Sequence, residues 1–280
     1  MRFSASFYRV NFVVVEYLTL NNGIRMPMVG LGTWDMRGRK GLYSILTALE
    51  CGYRLIDTAQ MYKNEDIVGK AILESGLPRK DVFLTTKLYR NRNGYQEIKH
   101  AVEKSLDDLC SDYVDLFLIH EPYANALELY EVLKEFYRAG KIRAIGISNF
   151  HEKEYQAFIR ECGIIPAIDQ VESHVYFPRL NLQKLLQENG TKMQSWGSFT
   201  EGRIDIFNEP VLKSIAAKQG KTASQIALRF LLQKGIAVIP KSVHKERLMN
   251  NFSLFDFRLT DKEMEEIAAL NQNKSLFGWY

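Results

Sequence analysis

Long apolar runs and paired cysteines are both missing from this 280-residue chain. No stretch of 18 apolar residues occurs, so we expect no membrane-spanning helix. The three cysteines, Cys51, Cys110 and Cys162, include no CxxC pair. That usage is typical of buried thiols in a reducing compartment rather than of a disulfide framework. We therefore expect a cytoplasmic protein and exclude a membrane protein or a small disulfide-stabilised scaffold.

A strong excess of one charge is also missing. The 37 Lys and Arg residues are interspersed with 33 Asp and Glu residues, and the net charge is +4. No basic stripe of the kind that binds a nucleic acid backbone is visible. We expect no nucleic acid partner and no membrane partner.

The common phosphate-binding loops are absent as well. The nearest match to GxGxxG begins at Gly30 and Gly32 but has Asp35 at the third glycine position. GKT at 220–222 lacks the leading glycine of a P-loop, because Ile215 stands there. Thr222 is better explained as the start of a helix. The sequence therefore does not indicate a Rossmann or P-loop nucleotide site.

The first 16 residues differ from the rest. Their apolar run, FVVV, is too short for the core of a signal peptide. We expect residues 1–16 to form a disordered or loosely attached extension, with a targeting segment as the alternative. Residues 17–280 contain no linker rich in Pro, Gly or Ser and have the length of one large domain.

Short β-rich runs alternate with helical patterns from Tyr17 onward. YLTL followed by NNG is typical of a strand that enters an Asn-Gly hairpin turn. Eight further runs predict strands at 28–30, 54–57, 82–86, 114–119, 142–147, 167–171, 192–196 and 236–238. Helices are predicted at 41–51, 65–74, 95–109, 126–138, 152–160, 180–187, 222–233 and 244–250. Eight such units in about 260 residues predict a closed (β/α)8 TIM barrel, with the N-terminal β-hairpin closing its bottom.

Four polar residues follow consecutive predicted strands. Asp57 ends the second strand, Tyr62 lies in its loop, Lys87 follows the third strand and His120 the fourth. The C-terminal ends of barrel strands form the active site of such folds. A nearby ammonium lowers the pKa of a phenol, so Lys87, oriented by Asp57, would make Tyr62 a better proton donor. His120 would then orient a carbonyl oxygen. Each residue alone would be interpreted as a cap, packing or solvated residue; together they indicate a carbonyl reductase site.

The chain resembles the aldo-keto reductase family from Tyr17 to its end. The matching stretches are LTLNNGIRMPMVGLGTW (18–34), GYRLIDTAQMYKNEDIVGKAI (52–72), VFLTTKL (82–88), DLFLIH (115–120), GKIRAIGISNF (140–150), DQVE (169–172) and VIPKSVHKERLMNNF (238–252). The pattern is most similar to bacterial diketogluconate reductases and to aldehyde and methylglyoxal reductases.

The resemblance implies an NADPH-dependent reductase of aldehydes, α-dicarbonyls or keto sugars, usually monomeric. Tyr62 would be its general acid, tuned by Lys87 and Asp57. The substrate pocket is expected to be lined by Trp34, Tyr62, Tyr89, His120 and Glu121. The cofactor is expected to contact Thr33, Trp34, Asp57, Ser148, Asn149, Gln170, Trp196, Gly197, Ser198, Phe199, Lys241, Ser242, Val243, Arg247, Asn250 and Asn251.

The basic segment near residue 245 bears on the choice of cofactor. Lys241, Ser242 and Arg247 offer two cations and a hydroxyl after the last predicted strand. Such a group suits the 2′-phosphate of NADPH, with Arg as a bidentate partner. We therefore expect a preference for NADPH over NADH; the alternative is a solvated basic helix end.

Several positions depart from the family pattern. Glu121 stands where many members have Trp, and Asp169 where Asn is usual. If the Glu121 carboxylate points inward, it would favour neutral or cationic substrates; it could equally turn to solvent. The loop SWGSFTEGR replaces a common Ser-Pro-Leu sequence, and His244 and Asn250 replace a common Thr and Glu. These changes bear on cofactor affinity more than on chemistry.

Two other functions fit the sequence less well. A cofactor-sensing subunit with weak turnover would need a partner surface, and no long apolar patch suggests one. A metal-dependent barrel hydrolase would need clustered ligands. Only His120 of the five histidines has a clear purpose at a strand end, so no metal is expected.

Overall fold

The computed structural model describes residues 15–89 and 94–278 of the chain. The strands are β1 Tyr17–Thr19, β2 Arg25–Pro27, β3 Leu31–Gly32, β4 Leu55–Asp57, β5 Phe83–Leu88, β6 Leu116–Ile119, β7 Ile145–Ser148, β8 Ile168–Glu172, β9 Lys192–Trp196 and β10 Ala237–Val238. The helices are α1 Gly38–Glu50, α2 Glu65–Glu74, α3 Tyr95–Asp108, α4 Ala126–Arg138, α5 Glu152–Ile159, α6 Leu180–Glu188, α7 Pro210–Gln219, α8 Ala223–Gln233, α9 Lys245–Phe252 and α10 Asp261–Ala268.

Strands β3 to β10 form one parallel sheet in sequence order. The sheet closes because Val29, just before β3, pairs with Val238 of β10. Two backbone hydrogen bonds hold this closure, from Val238 N to Met28 O at 2.8 Å and from Gly30 N to Val238 O at 2.9 Å. The predicted TIM barrel is therefore confirmed.

The predicted hairpin covers the N-terminal end of the barrel. Strands β1 and β2 pair antiparallel around the Asn-Gly turn. Leu20 and Met26 of this hairpin are buried and pack with side chains at the starts of the barrel strands, such as Leu55 and Phe83. Asn22 Nδ2 also donates to Arg143 O at 2.9 Å. The hairpin thus closes the bottom, and the opposite end remains for a site.

Two apolar layers stabilise the barrel. The inner layer fills its interior with side chains that include Leu116, Leu118 and Ile168. The outer layer lies between the strands and the surrounding helices, and it includes Ile147 and Leu133. Parallel strands covered on both faces are expected to be apolar throughout, which explains the nearly continuous hydrophobic runs in the sequence.

The termini of two helices are specified locally. Thr222 accepts from Gln225 N, and the Gln225 side chain accepts from Thr222 N, so α8 begins with a capping box. Thr260 and Glu263 make the same arrangement at the start of α10. Thr222 is therefore a helix start, as the sequence predicted for GKT.

Most predicted bounds differ from the structure by up to three residues, and three elements depart from the predictions more clearly. The first barrel strand was placed at 28–30, whereas β3 is Leu31–Gly32 and only a single bridge forms at Val29. Helices α7 and α10 were not predicted. Most of the predicted extension, residues 1–14, lies outside the described residues; Glu16 is described, and its carboxylate lies 3.2 Å from Arg229 Nη1. In the described ranges no helix is both long and apolar enough to span a membrane.

Candidate active site

A cavity of about 830 Å³ opens at the C-terminal ends of the barrel strands. It is lined by Gly32, Thr33, Trp34, Asp57, Met61, Tyr62, Tyr89, His120, Glu121, Tyr123, Ser148, Asn149, Gln170, Trp196, Gly197, Ser198, Phe199, Glu201, Arg203, Ile239, Pro240, Lys241 and Phe277. Three of the four residues predicted to be catalytic line this cavity, and the fourth, Lys87, lies directly behind it, bonded to two of them.

Gly32 shows how closely the first and last strands approach at this end. A Cβ atom on Gly32 would lie 2.7 Å from the carbonyl oxygen of Ile239. Only glycine lets the backbone of β3 pass the chain that leaves β10 at this distance.

Lys87 is the buried cation of the site. Its side chain is fully buried in β5, and its Nζ forms an ion pair with Asp57 Oδ1 at the end of β4. Nζ also donates to Thr58 O at 3.0 Å and to Tyr62 Oη at 3.3 Å. Burial acts to lower the pKa of Lys87, but Asp57 and Tyr62 outweigh it and raise the pKa above its usual value. Lys87 is therefore held as an ammonium beside the phenol.

Tyr62 is placed by a short 3-10 turn at Gln60–Tyr62, after β4. Its ring packs edge-on against Trp34, with ring centroids 4.9 Å apart. Burial raises the pKa of Tyr62, Lys87 lowers it, and burial is the larger effect in this structure. Lys87 thus acts in the expected direction without bringing the pKa below its ordinary value. The phenol stays protonated, as a proton donor must be.

His120 follows β6 and faces Tyr62, with ring centroids 5.8 Å apart. Its Nδ1 is sealed from solvent and has no hydrogen-bond partner within the described ranges. Nε2 is therefore the ring nitrogen that is open to the cavity. Burial, and secondarily Lys87, lower the pKa of His120 to about 3. The ring is neutral at physiological pH and can act as a hydrogen-bond donor without carrying charge.

Asp57 joins Lys87 and Tyr62 to the opposite side of the barrel. While Oδ1 pairs with Lys87, Oδ2 accepts from Gln170 Nε2 of β8 at 2.7 Å. Gln170 Nε2 also donates to Gln194 Oε1 at 2.7 Å, and the Gln170 carbonyl accepts from Ser148 Oγ at 2.8 Å. Side chains from β4, β5, β7, β8 and β9 are therefore fixed in one network.

Asn149 connects three parts of the cavity wall. It adopts a left-handed conformation with φ of 65°, which Asn tolerates better than most residues. Its Nδ2 donates to His120 O at 3.2 Å and to Glu121 Oε1 at 3.1 Å. Its Oδ1 accepts from Trp196 Nε1 at 2.7 Å. Glu121 therefore points inward, which decides between the two orientations that the sequence left open.

The Glu121 carboxyl titrates near neutrality. Burial raises its pKa to about 7, and the hydrogen bond from Asn149 only partly opposes this effect. Asp169, the other acidic departure, is fully buried in β8 and does not line the cavity. Burial raises the pKa of Asp169 well above its usual range, against a smaller opposing effect of Arg179.

The family model of the Aldo/keto reductase family matches residues 28–272. The chain belongs to this family. It is 38% identical over 261 residues to the glyoxal reductase of Bacillus subtilis, covering 92% of this chain and 94% of that protein. It is 37% identical over 262 residues to a methylglyoxal reductase of Escherichia coli, again covering 92% and 94%.

Solved structures lead to the same family. MGS-M4, an aldo-keto reductase enzyme from a Medee basin deep-sea metagenome library, superposes with a TM-score of 0.91 at 38% sequence identity. The match covers 93% of this chain and 97% of that one. The chain is thus an aldo/keto reductase in sequence and in fold, and an oxidoreductase of carbonyl and alcohol groups.

Not all of the predicted cofactor residues of this aldo/keto reductase line the cavity. Lys241 lines the cavity, whereas five others lie on α9 or in the loop before it and do not line the cavity: Ser242, Val243, Arg247, Asn250 and Asn251. Ser242 Oγ accepts from His244 N at 3.2 Å, so this hydroxyl stabilises its own loop. Arg247 is exposed on α9. A ligand would have to extend out of the cavity to reach these residues.

The structure adds lining residues that sequence reasoning did not assign to the site: Gly32, Met61, Tyr123, Glu201, Arg203, Ile239, Pro240 and Phe277. The loop SFTEGR was recognised, but its second half was not assigned to the site. That half folds back because Thr200, Glu201 and Gly202 all have positive φ angles. No sequence signal announces such a conformation at Thr and Glu.

Phe277 of the C-terminal segment forms part of the rim. Its ring packs against Trp196, with centroids 4.9 Å apart. Buried Glu172 fixes the segment, since Oε2 accepts from Ser275 Oγ and Oε1 accepts from Leu276 N at 2.9 Å. Trp279 and Tyr280, which follow in the sequence, lie outside the described residues.

In residues 15–89 and 94–278, no three His, Cys, Asp or Glu side chains are grouped so that they could hold a metal ion.

Proposed function

We propose that this aldo/keto reductase reduces small aldehydes and α-dicarbonyl compounds to alcohols with NADPH. The observation that carries the proposal is the buried Lys87 ammonium bonded to Tyr62 Oη, with the neutral His120 ring facing the same phenol. The glyoxal and methylglyoxal reductases among its relatives support this choice of substrate.

The side chains divide the work in a simple way. A hydride added to a carbonyl carbon leaves an alkoxide, and the Tyr62 hydroxyl gives its proton to that oxygen. Lys87 stabilises the phenolate that remains, while His120 Nε2 donates a hydrogen bond that fixes the carbonyl oxygen near Tyr62. Asp57 keeps Lys87 charged and in place.

The residues present suit a dinucleotide phosphate cofactor. Ser148, Asn149 and Gln170 offer amide and hydroxyl groups beside the catalytic residues, and Trp196 offers an aromatic wall. Lys241 and Arg247 form no ion pair with any described residue and so remain available to a phosphate. Bound NADPH would supply the hydride. Preference for NADPH over NADH is part of this proposal.

The test is NADPH oxidation by the purified protein with methylglyoxal and with an aromatic aldehyde. Tyr62→Phe, which keeps the ring, is the matched variant. We expect oxidation by the wild type, and its loss in Tyr62→Phe with NADPH binding retained. Binding of NADPH without any oxidation would contradict the proposal and favour a cofactor-sensing protein instead.

The family resemblance also implies a monomer, which size-exclusion chromatography would test. The cytoplasmic location stays a prediction.

A further inference from the structure

Glu121 brings a carboxylate into the cavity that Tyr62 and His120 also line. It directly follows His120, and its side chain is held inward by the 3.1 Å hydrogen bond from Asn149 Nδ2 to Oε1. Oε2 has no hydrogen-bond or ion-pair partner within residues 15–89 and 94–278. One oxygen therefore anchors the group, and the other is free to meet a ligand.

The cavity does not provide a cation for this carboxylate. The titratable and charged side chains that line it are Asp57, Tyr62, Tyr89, His120, Glu121, Tyr123, Glu201, Arg203 and Lys241. Of its two exposed cations, Arg203 lies over the ring of Phe277 at 4.5 Å, and Lys241 follows β10. Neither comes within 4.0 Å of Glu121, and Lys87 is committed to Asp57.

Much of the cavity wall is aromatic, and it includes Trp34, Tyr89 and Trp196. Trp196 is tied to the same side chain as Glu121, because Asn149 accepts from Trp196 Nε1 and donates to Glu121 Oε1. An aromatic face attracts a cation, and this attraction is strongest for ammonium groups that have lost their water. A half-buried carboxylate without a cationic partner is costly, and an incoming cation relieves that cost. A carboxylate in this aromatic cavity is therefore suited to an alkylammonium group.

We propose that Glu121 selects carbonyl substrates that carry an ammonium group close to the carbonyl carbon. This inference rests on the proposed reductase function, since it assigns a substrate class to the same cavity. Anionic carbonyl compounds, such as keto acids, would be disfavoured by the same carboxylate. Burial raises the pKa of Glu121, and an ammonium group bound beside the carboxylate would lower it again.

The test compares two aldehydes of nearly the same shape, trimethylammonio-acetaldehyde and 3,3-dimethylbutanal. The first carries a fixed positive charge and the second is neutral. The ratio of their kcat/KM values is measured above neutral pH in the wild type and in Glu121→Gln. Gln keeps an oxygen that can accept from Asn149 and removes only the charge. Differences in hydration between the two aldehydes cancel when the variant is compared with the wild type.

We expect Glu121→Gln to lower the ratio of the kcat/KM values for the charged and the neutral aldehyde roughly tenfold, the scale of one half-buried charge pair. An unchanged ratio would overturn the proposal. A parallel loss on both aldehydes, together with weaker NADPH binding, would also overturn it and make Glu121 a residue that positions Asn149. Failure of the proposed function is distinguishable, because the wild type would then reduce neither aldehyde.

Discussion

Tyr62 is the residue whose hydroxyl lies between a buried ammonium and the open cavity. Removing that hydroxyl should lower kcat by about 10²–10⁴-fold, the usual contribution of a general acid, because no other described phenol lies within hydrogen-bonding distance of Lys87. Steady-state kinetics of Tyr62→Phe would measure this loss. Tyr43→Phe, which removes the same atom on the exposed face of α1, should retain full activity. Equal rates in Tyr62→Phe and wild type would exclude Tyr62 as the proton donor.

Glu121 should make substrate choice depend on pH. Its pKa is raised to about 7, so the carboxyl is neutral at lower pH and negative at higher pH. We expect the preference for the quaternary ammonium aldehyde over its neutral counterpart to rise from about pH 6 to about pH 8, either side of that pKa. The charge of this substrate does not titrate, so the change must come from the protein.

The profile of Glu121→Gln serves as the control. Its preference should stay flat over the same pH range, because the amide does not ionise. A rise of the same size in the variant would assign the titration to another group that lines the cavity.

For individual residues, the sequence predicted which side chains lie together at the cavity but not which hydrogen bonds join them. Asp57, Tyr62, Lys87 and His120 could be placed because each stands at or near the end of a strand. The hydrogen bond from Asn149 to Glu121 could not be predicted, because it depends on the left-handed backbone conformation of Asn149. The net rise in the pKa of Tyr62 was also missed, since the extent of burial is a property of the folded chain.

Among the elements, β7 packs tightly against both neighbouring strands at Gly146. A Cβ atom there would lie 2.6 Å from Ile168 O and 2.7 Å from Leu118 Cδ2. We expect Gly146→Ala to lower the free energy of unfolding by about 1–3 kcal/mol, the usual cost of overpacking. Urea denaturation would measure the change. Lys153→Ala on the exposed face of α5 is a control that should differ little from wild type.

The same substitution should affect the site. Gly146 lies two residues before Ser148, so a displaced β7 would also shift Asn149 and its bond to Glu121. A Gly146→Ala protein as stable as the wild type would show that the strands can separate without cost.

The elements differ in how readily they can be predicted. Helix α10 could have been found, since Thr260 and Glu263 have the spacing of a capping box. Helix α7 begins at Pro210, which is favoured in the first turn of a helix. The loop from Gly197 to Arg203 was beyond prediction, because its course depends on positive φ angles at Thr200 and Glu201.

For the molecule as a whole, cofactor binding should increase the free energy of unfolding. A ligand at about 100 times its Kd adds about 2.7 kcal/mol to the free energy of unfolding. We expect NADPH to raise the Tm more than NADH at equal concentration, and Arg247→Ala to reduce this difference by weakening the contact with the 2′-phosphate. Differential scanning fluorimetry would measure both.

Lys184→Ala is a suitable control, because it removes one exposed cation on α6, away from α9. It should keep the full difference between the cofactors. If NADPH and NADH gave equal shifts in the wild type, the proposed preference for NADPH would be wrong.

The barrel itself was the most predictable level of organisation. Eight alternating units leave parallel strands few arrangements, and right-handed crossovers restrict them further. The contact that closes the barrel could not be predicted from the sequence, because it is a single bridge between Val29 and Val238. The first strand was therefore placed too early in the chain.

The position of the C-terminal segment has a practical consequence for attaching the protein to other materials. Phe277 lies in the rim of the cavity, whereas Val15 precedes the hairpin at the opposite end of the barrel. A label, affinity handle or solid support attached near Phe277 would stand beside the cavity. The same addition on the hairpin would leave the cavity clear, so immobilised enzyme should be coupled through the hairpin.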